Sequence, residues 1–316
     1  MRICIISFDI WGYDEKIVAK LNELGHEAKH IRISQFKYKY KHIFERIHNS
    51  IQKTFFKKNI KRIKAEEYII EQLRSHSDFD KIIVINPEWV SKETHLKIKQ
   101  FSSSYIAYLY DSLERYDARP ILKIFDKVYS FDKDDVKKYN LTFLPNYIPL
   151  DKEPHNEEKQ IKYKVFSIAS IDERFSTFRK IVDFLDRQNI SHQTIFFNKK
   201  KPEDFIENAI FTNKRISQKE VKEYLEQCDI ILDILRKDQN GLSFRIFEAL
   251  ALEKKIITTN QSIKEYDFYN PKNIFVIEDD EINIPNDFFS DEYEQIPENI
   301  YNKYTLKSWI STILKN

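Results

Sequence analysis

Residues 240–250, NGLSFRIFEAL, gather a glycine, a hydroxyl, a cation and a carboxylate in one short stretch. Gly241 is one of only three glycines in 316 residues, so a scarce residue type stands at this turn. Ser243 and Arg245 follow, and both can meet phosphate. Glu248 lies three residues past Arg245, on what reads as the first turns of a helix. A glycine turn that feeds a helix N-terminus presents backbone N–H groups and a positive dipole end to an anion. The i,i+3 offset places Arg245 and Glu248 on one helix face. The guanidinium can then hold a pyrophosphate while the carboxylate accepts hydrogen bonds from vicinal ribose hydroxyls. These residues outline a nucleoside-diphosphate site.

The surrounding pattern supplies elements to position it. Residues 3–8 read as a buried strand, 15–24 as a helix stopped by Gly25, and 26–33 as a second strand. Strands over 81–86 (KIIVIN) and 105–110 (YIAYLY) follow, and 127–130 with 143–144 completes a first domain near residue 149. Pro145, Pro149 and Pro154, with the charged stretch 151–162, mark a linker. Strands at 164–169, 193–197, 230–234, 256–259 and 273–277 then alternate with helices at 176–188, 218–227 and 244–252, and 306–314 reads as a closing helix. The alternation predicts two doubly wound, Rossmann-like α/β domains over 1–149 and 150–300, with residues 301–316 closing the chain. They are expected to face a cleft at the carboxyl ends of their strands.

Bulk properties narrow the classes. Apolar residues make up 41% and aromatics 14%, a globular composition. The 32% charged residues nearly cancel to +2, which argues for no nucleic-acid partner. Cys4 and Cys228 lie far apart without metal-binding spacing and read as buried, reduced thiols. The apolar run at the N-terminus is too short for a secretion signal, and no later run could span a bilayer. The expectation is a cytoplasmic protein that meets a membrane only at its surface. One segment breaks the rhythm: 37–64, inside an insertion of about 35–76, carries ten Lys or Arg against the single acid Glu45, interleaved with Phe36, Tyr38, Tyr40, Phe44, Phe55 and Phe56. It reads as a helix pair against an anionic membrane surface or polyanion, or as a solvated insertion packed on its own domain.

In these motifs the chain resembles GT-B glycosyltransferases, above all the bacterial enzymes that build lipopolysaccharide, capsule and other surface glycans. The likeness is strongest over 240–260 (NGLSFRIFEALALEKKIITTN). YLYDSLER at 108–115, KVYSFDKDDVKKY at 127–139 and FLPNY at 143–147 add weight through their order. The resemblance implies that Glu248 holds the donor's ribose and that Gly241, Ser243 and Arg245 face its diphosphate. It places Arg174, in the 168–174 strand–loop, as a further phosphate ligand, although Ala169 stands near the usual glycine slot. Residues 211–217 would lie beside the nucleobase. Retaining members often carry a second glutamate eight positions before the ribose ligand; here that position is Asn240, so a retaining mechanism is not inherited.

The function so implied is sugar transfer from a nucleotide-sugar donor to a glycan or lipid-linked acceptor, with no cofactor beyond the donor itself. Arginines and a helix terminus can neutralise the leaving diphosphate without a metal. The pairs Asp134–Asp135 and Asp279–Asp280 sit in charge-rich stretches and read as solvated rather than metal-binding. A general base should come from the first domain. Asp111, directly after the strand YIAYLY, leads, and Asp9 at the end of the first strand is second. Asp111 can equally cap a helix running through Leu113 and Arg115, and Asp9 can equally support the Gly12 turn. Trp11 and Tyr13 could stack on an acceptor sugar or cover the sheet edge. A rival reading is a non-catalytic α/β module that binds a polyanion or anionic membrane through 37–64. A dinucleotide oxidoreductase is disfavoured, because no GxGxxG follows the first strand.

Overall fold

The computed structural model describes residues 1–40, 42–55, 59–76, 78–152, 160–198, 206–278 and 281–315. Pro154, Phe56 and the pair Asp279–Asp280 lie outside them. The chain divides into two compact units, Met1–Leu144 and Pro145–Asn316.

The first unit runs β1 (Arg2–Ser7), α1 (Tyr13–Glu23), β2 (Glu27–Arg32), α2 (Ile43–Phe55), α3 (Ile60–Arg74), β3 (Phe79–Ile85), α4 (Lys92–Lys99), β4 (Ser102–Leu109), β5 (Lys127–Ser130), α5 (Lys133–Tyr139) and β6 (Thr142–Phe143). Its six strands are all parallel, in the order β2-β1-β3-β4-β5-β6. Residues 3–7 of β1 are buried on both faces, as a parallel sheet covered by helices on each side requires. Gly25, at φ 83°, ends α1: its N–H reaches Asn22 O at 3.0 Å and the His26 N–H reaches Leu21 O at 3.1 Å. That bond pair is a Schellman motif, which favours a residue without Cβ penalty at this position.

The stretch expected as an insertion divides in two. Helix α3 sends Ala65, Ile69 and Leu73 into the core beside Ile82, Val84 and Tyr105, so it is the crossover between β2 and β3. Glu66 fastens it to the start of α4, accepting from Ser91 N at 2.8 Å, Ser91 Oγ at 2.7 Å and Thr94 Oγ1 at 2.8 Å. Helix α2 is the added piece. The residues after β4 form turns rather than the helix expected through Leu113 and Arg115.

The second unit runs β7 (Tyr163–Ser170), α6 (Phe175–Arg187), β8 (His192–Phe197), β9 (Ile210–Thr212), α7 (Gln218–Glu226), β10 (Cys228–Asp233), α8 (Phe244–Ala251), β11 (Lys255–Thr258), β12 (Ile274–Val276), α9 (Asn286–Ser290), α10 (Glu298–Tyr301) and α11 (Leu306–Leu314). Its parallel order is β12-β11-β10-β7-β8-β9. With β7 counted as the first strand, that is the 3-2-1-4-5-6 order of dinucleotide-binding folds. The apolar face of α6 (Phe178, Ile181, Val182, Leu185) packs on Val165, Phe196 and Ile230. Tyr147 sits between Phe244 of α8 and Trp309 of α11, with ring centroids 5.2 and 5.3 Å away, which ties the closing helix to this unit. Both cysteines are free and buried, and burial raises both thiols, Cys228 to about 12. Among the described residues no helix is long and apolar enough to cross a membrane.

The direction of winding reverses once in each sheet, between β1 and β3 in the first and between β7 and β10 in the second. Ligands of open α/β sheets bind beyond the carboxyl ends of the strands at such a reversal.

Candidate active site

In the second unit the loop before α8 is clamped by its carbonyls. Asn260 Nδ2 donates to Asn240 O at 3.2 Å and Gly241 O at 3.4 Å, and Ser262 Oγ donates to Asn240 O at 2.7 Å. Asn146 Nδ2 donates to Leu242 O at 2.9 Å. In a trans peptide the N–H points opposite the C=O, so the N–H groups of Gly241, Leu242 and Ser243 turn away from these clamps. Ser243 is the N-cap of α8 but caps nothing: its hydroxyl donates to Asp233 Oδ1 at 2.9 Å. The helix therefore starts without a side-chain cap, an arrangement suited to an anion.

Arg245 and Glu248 meet as the i,i+3 spacing predicts: Nη1 of the arginine donates to Oε2 of the glutamate. Glu248 is buried at 1% exposure, and Arg245 covers it with 19% of its side chain exposed. Arg174 is differently placed from the simple ligand expected. It forms a two-pronged pair with Asp172, Nε to Oδ1 and Nη2 to Oδ2, both 2.8 Å, and its Nη1 donates to Ile234 O at 2.9 Å. Burial alone would raise the Asp172 carboxyl, but Arg174 outweighs it and holds the group below its ordinary value. Ala169 packs against the apolar core of the unit. Residues 211–217 lead from β9 at the sheet edge to α7, where Ser217 and Glu220 form a capping box.

Two residues here escaped the sequence reading. Asp233 ends β10 and receives the Ser243 hydroxyl; burial raises its carboxyl against the pull of Ser243, Arg174, Arg245 and Arg236. Arg236 follows the same strand, with Nη2 3.6 Å from Asp172 Oδ2. Three arginines from three separate segments thus share a field with Asp172 and Asp233, where β7 and β10 end at the winding reversal.

The first unit gathers carboxyls at its own reversal. Asp9, at φ 40° and 2% exposed, accepts at Oδ1 from Asp14 N (3.2 Å) and at Oδ2 from Glu15 N (3.1 Å), with Arg32 Nε 3.6 Å from Oδ2. Its two oxygens thus satisfy two N–H groups in the first turn of α1. Asp14 is buried at 2% exposure, and its Oδ2 has no hydrogen-bond partner. Burial first, and the Asp9 charge second, push its carboxyl up to about 7. His30 Nε2 lies 2.9 Å from Ser7 Oγ, and burial lowers its imidazole.

Asp111, partly exposed, accepts from Arg115 Nη1 at 2.9 Å. Glu88, just past β3, was not anticipated. Burial and then the Asp111 charge push its carboxyl up to about 7, although it remains half-buried rather than sealed. Phe8 and Trp89 join the β1 and β3 loops edge to face, with centroids 4.8 Å apart, and Trp11 is exposed. Asp134 and Asp135 open α5: both N–H groups donate to Asp132 Oδ1, and Asp135 Oδ2 accepts from Leu113 N at 2.7 Å. The Leu113 bond pins the turn after β4, and burial pushes the Asp135 carboxyl up to about 6.

No protein-family profile matches the sequence, and no curated protein matches it. The fold does match solved structures. A lipopolysaccharide outer core galactosyltransferase, WaaB, aligns over 99% of this chain and 98% of its own, at TM-score 0.61 and 12% identity. A UDP-forming trehalose-phosphate synthase from Burkholderia xenovorans aligns over 99% and 98%, at 0.61 and 10%. The UDP-GlcNAc 2-epimerase of Methanocaldococcus jannaschii, solved with UDP-GlcNAc and UDP, aligns over 99% and 99%, at 0.56 and 12%. The architecture is therefore the GT-B fold, two Rossmann-like domains along the whole chain.

Proposed function

We propose that this chain is a glycosyltransferase that moves a sugar from a nucleotide-sugar donor to a glycan or lipid-linked acceptor in bacterial surface polysaccharide assembly. The observation that carries the reading is the Arg245–Glu248 pair on the first turns of an uncapped helix, in one unit with Arg174 and Arg236. A nucleoside diphosphate supplies both members with better partners. Its phosphate oxygens take the Arg245 guanidinium and the α8 N-terminus, and its ribose hydroxyls donate to the Glu248 carboxylate. UDP is the first candidate, since two of the similar structures are named for UDP chemistry.

In the transfer step the acceptor oxygen bonds to the anomeric carbon as the bond from that carbon to the diphosphate oxygen breaks. The negative charge that develops on the diphosphate falls to Arg245, Arg236 and the helix terminus, which supports a metal-independent reaction. The proton of the acceptor hydroxyl goes to a first-unit carboxylate. Asp111 keeps that candidacy and Glu88 joins it, because a base poised near neutrality accepts a proton most effectively. Asp9, committed to the start of α1, is better placed to orient the loop that presents Trp11. The near-balanced charge supports a carbohydrate acceptor rather than nucleic acid.

Nucleoside-diphosphate release from a panel of nucleotide sugars, with and without glycan acceptors, tests the proposal. Acceptor-stimulated release from one donor is expected. Conversion of the donor sugar into an isomer, with no transfer to any acceptor, would refute it in favour of epimerase chemistry.

A further inference from the structure

Helix α2 presents its faces in the reverse of the usual order. Two of its polar residues face inward: Asn49, 8% exposed, donates to Tyr40 Oη at 2.8 Å and accepts from Ile60 N at 2.8 Å, while Glu45 accepts from Tyr38 Oη. Its apolar residues face outward, with Ile43, Phe44, Ile47 and Ile51 exposed by 68%, 73%, 51% and 48%. At about 100° per residue these four share one arc, and Glu45 with Asn49 occupies the opposite one. Lys37 and Lys39, in the segment before the helix, and Arg46, on it, are exposed as well. Glu45 is the one acid between 37 and 64, against ten Lys or Arg.

An aqueous surface would reward the opposite orientation, with the isoleucines inward and the asparagine outward. The stripe therefore fits an occupant that offers an apolar layer under a negatively charged one. We infer that α2 lies in the interface of an anionic phospholipid membrane. Ile43, Phe44, Ile47 and Ile51 sit among the upper acyl chains, and Lys37, Lys39 and Arg46 meet the headgroup phosphates. The site deepens the proposed use of a lipid-linked acceptor, because it brings the enzyme to the surface where such an acceptor resides, yet it rests on no feature of the donor site.

Flotation of the full chain with vesicles of phosphatidylethanolamine and phosphatidylglycerol, against vesicles of phosphatidylcholine alone, tests it. Binding to the anionic vesicles and release by high salt are expected. Phe44→Ser with Ile47→Ser should weaken binding at least about tenfold, and Arg46→Ala about fivefold. All three side chains are exposed, so circular dichroism and thermal stability should not change. The inference is overturned by equal binding to neutral vesicles, by no binding, by binding that the double variant retains, or by a lipid-free dimer that the double variant dissolves. Vesicle binding without any nucleotide response would leave this surface standing and remove the donor reading; the reverse result would separate them the other way.

Discussion

Glu88 and Asp14 both reach about 7, yet their surroundings give them different work. Asp14 is sealed beneath the β1 loop, whereas Glu88 keeps part of its surface at the end of β3, next to Asp111. Below about pH 7 Glu88 carries a proton and cannot take another. Transfer rate should therefore fall as pH drops through that value and level off above it. Glu88→Gln should lower kcat about a hundredfold or more and remove the inflection from the pH–rate profile. An unchanged inflection in that variant would assign the base elsewhere, with Asp111 next.

A second contrast separates the arginines. Arg174 is locked to Asp172 and to a backbone carbonyl, so Arg174→Ala should cost about 2–4 kcal/mol of stability in urea unfolding. Arg236 Nη2 lies 3.6 Å from Asp172 Oδ2. Arg236→Ala should weaken nucleotide binding about tenfold. The Arg245–Glu248 contact was legible in the sequence because helical spacing alone brings those residues together. Glu88 and Arg236 were not, because sheet topology brings them to Asp111 and Asp172, far off in sequence, and Asp233 was not, because its Ser243 partner comes from the loop before α8 rather than from helical spacing.

At the scale of elements, apolar runs and the Gly25 stop located most strands and helices to within a residue or two. The missed features follow from tertiary context. A helix through Leu113 and Arg115 was the alternative reading of the residues after YIAYLY, but Asp135 of α5 captures the Leu113 N–H and the chain stays in turns. In the stretch 37–64, basic composition could not reveal that α3 belongs to the core while α2 faces outward. Glu66 makes α3 part of the fold. Burial would raise its carboxyl, but Ser91, Thr94 and Arg62 outweigh burial and hold it below its ordinary value. A depressed folded value stabilises above the unfolded pKa of about 4.3, and that stabilisation is lost as pH falls through the folded value. Glu66→Gln should thus cost about 2 kcal/mol near neutral pH, and the difference from wild type should shrink on acidification. A gap of constant size from neutral to acid conditions would contradict this assignment.

Over the whole molecule, a net charge of +2 conceals a division of labour. In the first unit Asp9, Glu88 and Asp111 follow the ends of β1, β3 and β4, with Asp14 on the first turn of α1; in the second Arg174 and Arg236 follow β7 and β10, with Arg245 on the first turn of α8. Carboxylates suit the proton of an acceptor hydroxyl, and guanidiniums suit a departing diphosphate. The doubly wound order of each sheet sets Asp9, Glu88, Arg174 and Arg236 beyond the strands that flank its winding reversal, so fold and chemistry point to the same edges. The account depends most on the second of these edges. Calorimetric titration of the wild-type chain and Glu248→Gln with UDP and other nucleoside diphosphates examines it directly. We predict saturable binding of at least one of them by the wild type, weakened about tenfold to a hundredfold in the variant. Binding of equal strength in both, or no binding of any nucleoside diphosphate to the wild type, would contradict the claim that Arg245 and Glu248 hold the donor.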